Sequence, residues 1–178
     1  MRIHRTSFWR LLPIAVLALT GMHGVAMAET CSGFKWPVDT EIGLIAAHEA
    51  EAVTTGGTIA SIPTKAIELR LEPSPTVKFP ITPGIKKQAI PQNSFSGWLT
   101  IAGVQKPGLY QITLPNHAWI DVVQNDELVQ STAFSGDPNC KTVRKSVRFE
   151  LGVGSATVQI GGASENSIKL TIREADGK

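Results

Sequence analysis

Few side chains in this sequence have the type and spacing that chemistry requires. Cys31 and Cys140 are its two cysteines. In an oxidising compartment an even pair is most simply a disulfide, and no Cys-x-x-Cys is present to depress a thiol pKa for redox work. Closing a loop of about 100 residues stabilises a fold by up to ~4.7 kcal/mol on the chain-entropy account. Beyond residue 28 the histidines are His48 and His117. A hydrolytic triad needs a base beside an activated nucleophile. No Gly-x-Ser-x-Gly occurs, His48 falls in a helical pattern, and His117 follows Pro115 and Asn116 as a turn residue. His48, Glu49 and Glu51 offer two or three ligands from one helical turn, which does not close a metal site. No catalytic residue, cofactor or metal-ligand set is assigned.

The candidate ligand-binding residues are Trp98, Trp119, Asp121, Arg144 and Arg148. Trp98 and Trp119 have opposite parity to several apolar neighbours on their strands, the placement of outward-facing rings that stack on sugars; core filling is the alternative, given how strongly large aromatics are buried. Trp119, Asp121 and Val123 share one face of a strand whose other face carries Ala118, Ile120 and Val122. With both faces covered, the Asp121 carboxylate must be paired, by Arg144, by Arg148 or by backbone amides in a bend. The leading reading is a structural polar anchor, with calcium or ligand binding behind it. An exposed Trp-Val stripe invites aggregation, so Trp119 is expected in the core, where Trp119→Ala costs about 3–5 kcal/mol. Lys141, Arg144, Lys145 and Arg148 form a basic cluster, read as a solvated face before a small anion-binding patch.

These residues need elements to position them. Residues 1–28 read as a cleaved signal peptide: Arg2, Arg5 and Arg10 lead an apolar run over 11–20, and Ala26-Met27-Ala28 is a small-x-small cleavage site. Pro13, Thr20, Gly21, His23 and Gly24 interrupt the run, so it falls short of the roughly 20 apolar residues of a membrane span. This places residues 29–178 in the periplasm or outside the cell, with no membrane span after cleavage. Three of the 17 Lys and Arg and none of the 15 Asp and Glu lie before residue 29, leaving 14 basic and 15 acidic residues, net −1. That balance lacks the basic surplus of a nucleic-acid binder. About 150 residues make one ordinary domain.

Asp39 as N-cap, Glu41 in the first turn, and Ile42, Ile45, Ala46, Ala50 and Val53 at helical spacing predict one short helix over 40–54, stopped by Gly56 and Gly57. The period then changes to two. Ile67, Leu69 and Leu71 alternate with Glu68, Arg70 and Glu72; Val77, Phe79 and Ile81 alternate with Lys78 and Pro80, on a strand that the proline limits to an edge. Residues 82–94 read as a surface loop, rich in Pro83, Gly84, Lys86, Lys87 and Pro91. Further strands follow over 95–102, 108–114, 118–124, 127–133, 143–151, 155–160 and 167–173, with reversals at Asn125-Asp126 and Gly161-Gly162. Nine strands at hairpin spacing predict an all-β fold, an antiparallel, jelly-roll-like β-sandwich with one N-terminal helix.

The stretches Gly108-Leu-Tyr-Gln-Ile-Thr-Leu114, Ala118-Trp-Ile-Asp-Val-Val123 and Gly154-Ser-Ala-Thr-Val-Gln-Ile160 are similar in rhythm to the pre-peptidase C-terminal domain, a secreted β-sandwich with a Gly-x-Tyr-x-x-x-Leu strand and an Asp-bearing central strand. The likeness spans residues 95–173, with Ala156 where the second aromatic is expected, and implies the fold. The whole chain, through Cys31-Ser-Gly-Phe-Lys-Trp-Pro-Val-Asp39 and Val143-Arg-Lys-Ser-Val-Arg-Phe-Glu150, also resembles small exported bacterial proteins of unknown role, some of which carry the label homogentisate dioxygenase. That label implies a non-haem iron site of two histidines and a carboxylate. Neither His48 nor His117 begins a His-x-Asp or His-x-Glu. The function expected is a non-catalytic binding or interaction module for an extracytoplasmic ligand or protein, a glycan or cell-envelope partner included; a small enzyme is the alternative.

Overall fold

A computed structural model describes residues 31–85 and 90–176. The expected signal peptide, its cleavage point, Lys86 and Lys87 lie outside the described residues. In chain order the first elements are helix α1 (Asp39–Ala46) and strands β1 (Ala50–Thr54), β2 (Gly57–Ser61), β3 (Ala66–Arg70) and β4 (Glu72–Pro73). A 3₁₀ turn (Ser74–Thr76) precedes β5 (Phe95–Val104), β6 (Gly108–Leu114), β7 (Trp119–Gln124) and β8 (Glu127–Val129). The chain ends through β9 (Ser131–Gly136), β10 (Lys145–Leu151), β11 (Gly154–Ala163) and β12 (Ser167–Glu174).

The period-two alternation closes these strands into a β-sandwich. Sheet one runs β1-β3-β12-β6-β10-β9 and sheet two runs β2-β5-β11-β7-β8, with β4 beside β5. Ile67, Leu69, Ile112, Leu114, Phe149, Ile168, Leu170 and Ile172 point inward from sheet one. Leu99, Ile101, Ile120, Val122, Val158 and Ile160 meet them from sheet two. Each such side chain contributes roughly 1.5–3 kcal/mol by leaving water. Gly97 allows a close approach within sheet two: a Cβ there would collide with Thr55 Oγ1 and the Leu71 side chain.

The structure departs from the sequence reading in five places. The sheets are mixed rather than antiparallel throughout, because β1 runs parallel to β3 and β2 parallel to β5. The helix stops at Ala46, and residues 50–54 form β1. Val53 suits both periods, and pairing with β3 decides for the strand. Residues 77–81 keep their alternation, with Val77, Phe79 and Ile81 facing inward, but form no strand. Gly161 and Gly162 sit inside β11, where the register against β5 shifts and Gly162 takes φ +78°, so they make a bulge rather than a reversal. Residues 127–133 divide between β8 in sheet two and β9 in sheet one. The expected turn at Asn125 and Asp126 is present, with φ 54° and 60°, the primed geometry of tight hairpins.

Each sheet has a covered outer face. Residues 31–47 lie over sheet one as a strap, tied by the Cys31–Cys140 disulfide across 109 residues of sequence. Val38, Ile45, Val143 and Cys140, with Phe34, Trp36 and Ile42 packed against them, form a second apolar cluster there. Residues 74–85 and 90–94 lie over sheet two, tied to it through Ser74, Ile81 and Gly84.

Candidate functional site

Sheet two presents Asp121 on β7 and Gln159 on β11 as register partners, both pointing away from the core. They would be solvated on an open sheet. Here Gln159 is 1% and Asp121 9% exposed, because the cover crosses them. Ile81 donates its amide to Gln159 Oε1 at 3.1 Å, and Gly84 donates its amide to Asp121 Oδ2 at 3.0 Å. Two side-chain acceptors thus hold the cover at Ile81 and Gly84 without a strand ladder. Asp121 is the polar anchor the sequence reading favoured, and its partner is a backbone amide in a bend.

Beyond this anchor the cover leaves space. A cavity of about 330 Å³ is lined by Val77, Phe79, Pro83, Ile85 and Ile90, and is largely apolar. A larger cleft of about 700 Å³ opens at the end of the sandwich, inside the roughly 300–1,000 Å³ typical of small-ligand sites. One wall is Pro91, Asn93 and Ser94; the other is Asn116, His117 and Arg144, with Gly162 and Ser164 between. The bulge in β11 shapes this floor, since Pro91 lies against Gly162 and a Cβ on Gly161 would sit 3.2 Å from Ile90.

Two polar atoms of the cleft wall are buried without a hydrogen-bond partner among the described residues, Asn116 Oδ1 and Arg144 Nε. Arg144 reaches one backbone carbonyl, Pro138 O, at 3.3 Å. An orphaned buried polar group costs about 1–3 kcal/mol, so each side chain gains by turning into the cleft to meet something that enters. Trp119 stands beside the cleft, two residues after His117 and paired with Gly161. It is 38% exposed, which corrects its expected place in the core. The strand begins at Trp119, where the cover has already passed over Asp121, so the ring emerges at the sheet's end while Val123 stays buried. Lys145 holds the ring from one side, its ammonium 5.3 Å from the centroid and donating to Ala118 O at 2.9 Å. Burial holds that ammonium below the usual lysine value, and the nearby Asp121 carboxylate acts in the opposite direction.

The five sequence candidates therefore separate. Arg144 lines the cleft, Trp119 stands outside its lining beside Gly161, and Asp121 anchors the cover. Trp98 packs over the β1–β2 turn, with its carbonyl accepting the Gly56 amide at 2.8 Å. Arg148 is on the other sheet, half-buried, its guanidinium 4.1 Å from the Trp36 ring centroid and its Nε donating to Gln111 Oε1. It is a packing residue under the strap, correcting the solvated face expected of it. Asn116 and Gln159 escaped the sequence reading as functional groups; Pro115-Asn116-His117 signalled only a turn, and nothing distinguishes Gln159 from any outward polar residue.

The strap hides a polar network of its own. Glu41, 1% exposed, accepts Gln111 Nε2 at 2.5 Å and Arg173 NH1 at 3.0 Å. Trp36 Nε1 donates to Ser146 Oγ, which also accepts Thr113 Oγ1. Apart from Glu41 Oε2 and Thr171 Oγ1, which lack partners among the described residues, this interface is satisfied from within. His48 and His117 are exposed, His48 in the bend between α1 and β1 rather than in the helix expected of it and His117 between β6 and β7, and no three His, Cys, Asp or Glu among the described residues converge to hold a metal. They do not fit a two-histidine iron site. Compared with family models, with curated proteins and with solved structures, the chain matches none.

Proposed function

We propose that this protein is a non-catalytic binding module that works in the periplasm or outside the cell and takes a glycan of the cell envelope in the cleft beside Trp119. The observation that carries this reading is an exposed indole beside an open cleft whose wall holds two buried polar atoms, on Asn116 and Arg144, without a partner among the described residues. A sugar ring has an apolar face that stacks on indole and equatorial hydroxyls that satisfy amide and guanidinium groups, so it answers all three. The Cys31–Cys140 bond fits an oxidising compartment, and no helix among the described residues is long and apolar enough to cross a membrane.

The test is a thermal-shift panel of envelope glycans and peptidoglycan fragments on the disulfide-bonded protein, followed by calorimetric titration of any that raise the melting temperature. Trp119→Ala should abolish the shift while melting near the wild-type temperature. A panel without a single stabilising glycan would end this reading.

A further inference from the structure

We infer that the cleft selects carboxylated sugars, uronic acids in particular, with the Arg144 guanidinium receiving the carboxylate and Asn116 Oδ1 receiving a ring hydroxyl. This rests on the glycan reading of the same cleft and adds the charge of the ligand to it. Among the described residues, the other strongly engaged cations have occupants. Arg173 is paired with Glu41 and Asp176, Lys65 with Glu49, and Lys106 with Glu174. Arg148 is spread over Trp36, and Lys145 is committed to Ala118 O and the Trp119 ring. Arg144 has a backbone carbonyl and a buried, unpartnered Nε, and the cleft lining contains no Asp or Glu.

A guanidinium fork of this kind matches a carboxylate in two parallel hydrogen bonds, and it does so most strongly where water is partly excluded. The unpartnered Asn116 Oδ1 adds an acceptor. It is wasted on a second carboxylate but suited to a hydroxyl donor, so the wall calls for an acid and an alcohol on one small ring. Uronic acids carry both. The neighbouring Asp121 carboxylate is capped by the Gly84 amide and faces Lys145, which limits its repulsion of an incoming acid.

The experiment titrates an oligogalacturonide and the same oligosaccharide with its carboxyls reduced to alcohols, by calorimetry at low and physiological salt. The acid form should bind roughly tenfold or more tightly than the neutral form, the usual worth of a charge-assisted contact, and lose that advantage as salt is raised. Arg144→Gln should bring the two affinities together, Arg144→Lys should restore part of the difference, and Asn116→Asp should weaken the acid form selectively. Should Arg144→Gln fail to fold, the salt series on the wild type still decides. Equal affinity for the acid and neutral forms would overturn the charge assignment and leave the glycan reading standing. Binding of neither, together with an empty glycan panel, would remove both.

Discussion

The two sheets are covered by different means. The strap over sheet one is covalently tied at Cys31 and Cys140, carries a helix, adds its own apolar cluster and encloses a polar network that is largely paired from within. The cover over sheet two has no disulfide, one 3₁₀ turn, and side-chain hydrogen bonds from Gln159, Asp121 and Ser96 holding it. Sheet one is sealed. Sheet two is bridged, and its bridge holds a cavity among its own residues and leaves a cleft at its end. The lesson is that a sandwich can cover its two outer faces by different means, one with a covalently tied strap that packs its own apolar cluster, the other with a bridge that leaves open space.

Breaking the disulfide should have the largest effect on this contrast. Changing Cys31 and Cys140 together to Ser should cost about 2–5 kcal/mol in denaturant unfolding. Amides of residues 33–46 should lose hydrogen-exchange protection while β7 and β11 keep theirs, and protection lost equally across both sheets would mean that the strap is no separate unit. Glu41→Ala comes next. It removes the shared acceptor of Gln111 and Arg173, and about 3 kcal/mol is expected from stranding those donors; a loss below about 1 kcal/mol would show that water enters and that sheet one is less sealed than described.

On sheet two, Asp121→Ala should cost about 2 kcal/mol, since it orphans the Gly84 amide under the cover. Exchange at Ile81 and Gly84 should quicken while the strap stays protected. The smallest effect belongs to Trp119→Ala, about 1 kcal/mol, because the ring is already 38% exposed and loses chiefly its contact with the Lys145 ammonium. A loss of 3 kcal/mol or more in thermal and denaturant unfolding would return Trp119 to the core.

Much of the frame was legible in the sequence because period two is strict wherever one strand face is buried. Ile168, Leu170 and Ile172 alternate without exception, and β12 lies within a residue of its expected span. The disulfide followed from counting. What sequence could not supply was the covers. Periodicity says that Val77, Phe79 and Ile81 face one way, but not that the Ile81 amide goes to a glutamine 78 residues away. The burial of Gln159 and Asp121 comes from that crossing, so strand parity alone left Asp121 half-explained and placed Trp119 under the same lid. Helical spacing over Ile45, Ala46, Ala50 and Val53 was equally compatible with a helix that ends and a strand that begins, and only the parallel partner β3 settles it.

The central claim is that the cleft beside Trp119 is where this protein meets its ligand. The most direct measurement is a map of amide chemical-shift changes by NMR as the tightest-binding glycan is titrated into the disulfide-bonded protein. The changes should concentrate at residues 91–94, 115–119, 144–145 and 161–164, with the Trp119 indole N–H among the largest. Changes centred instead on Trp36 and Arg148, or on Val77 and Phe79 within the cover, would contradict the account and move the site elsewhere.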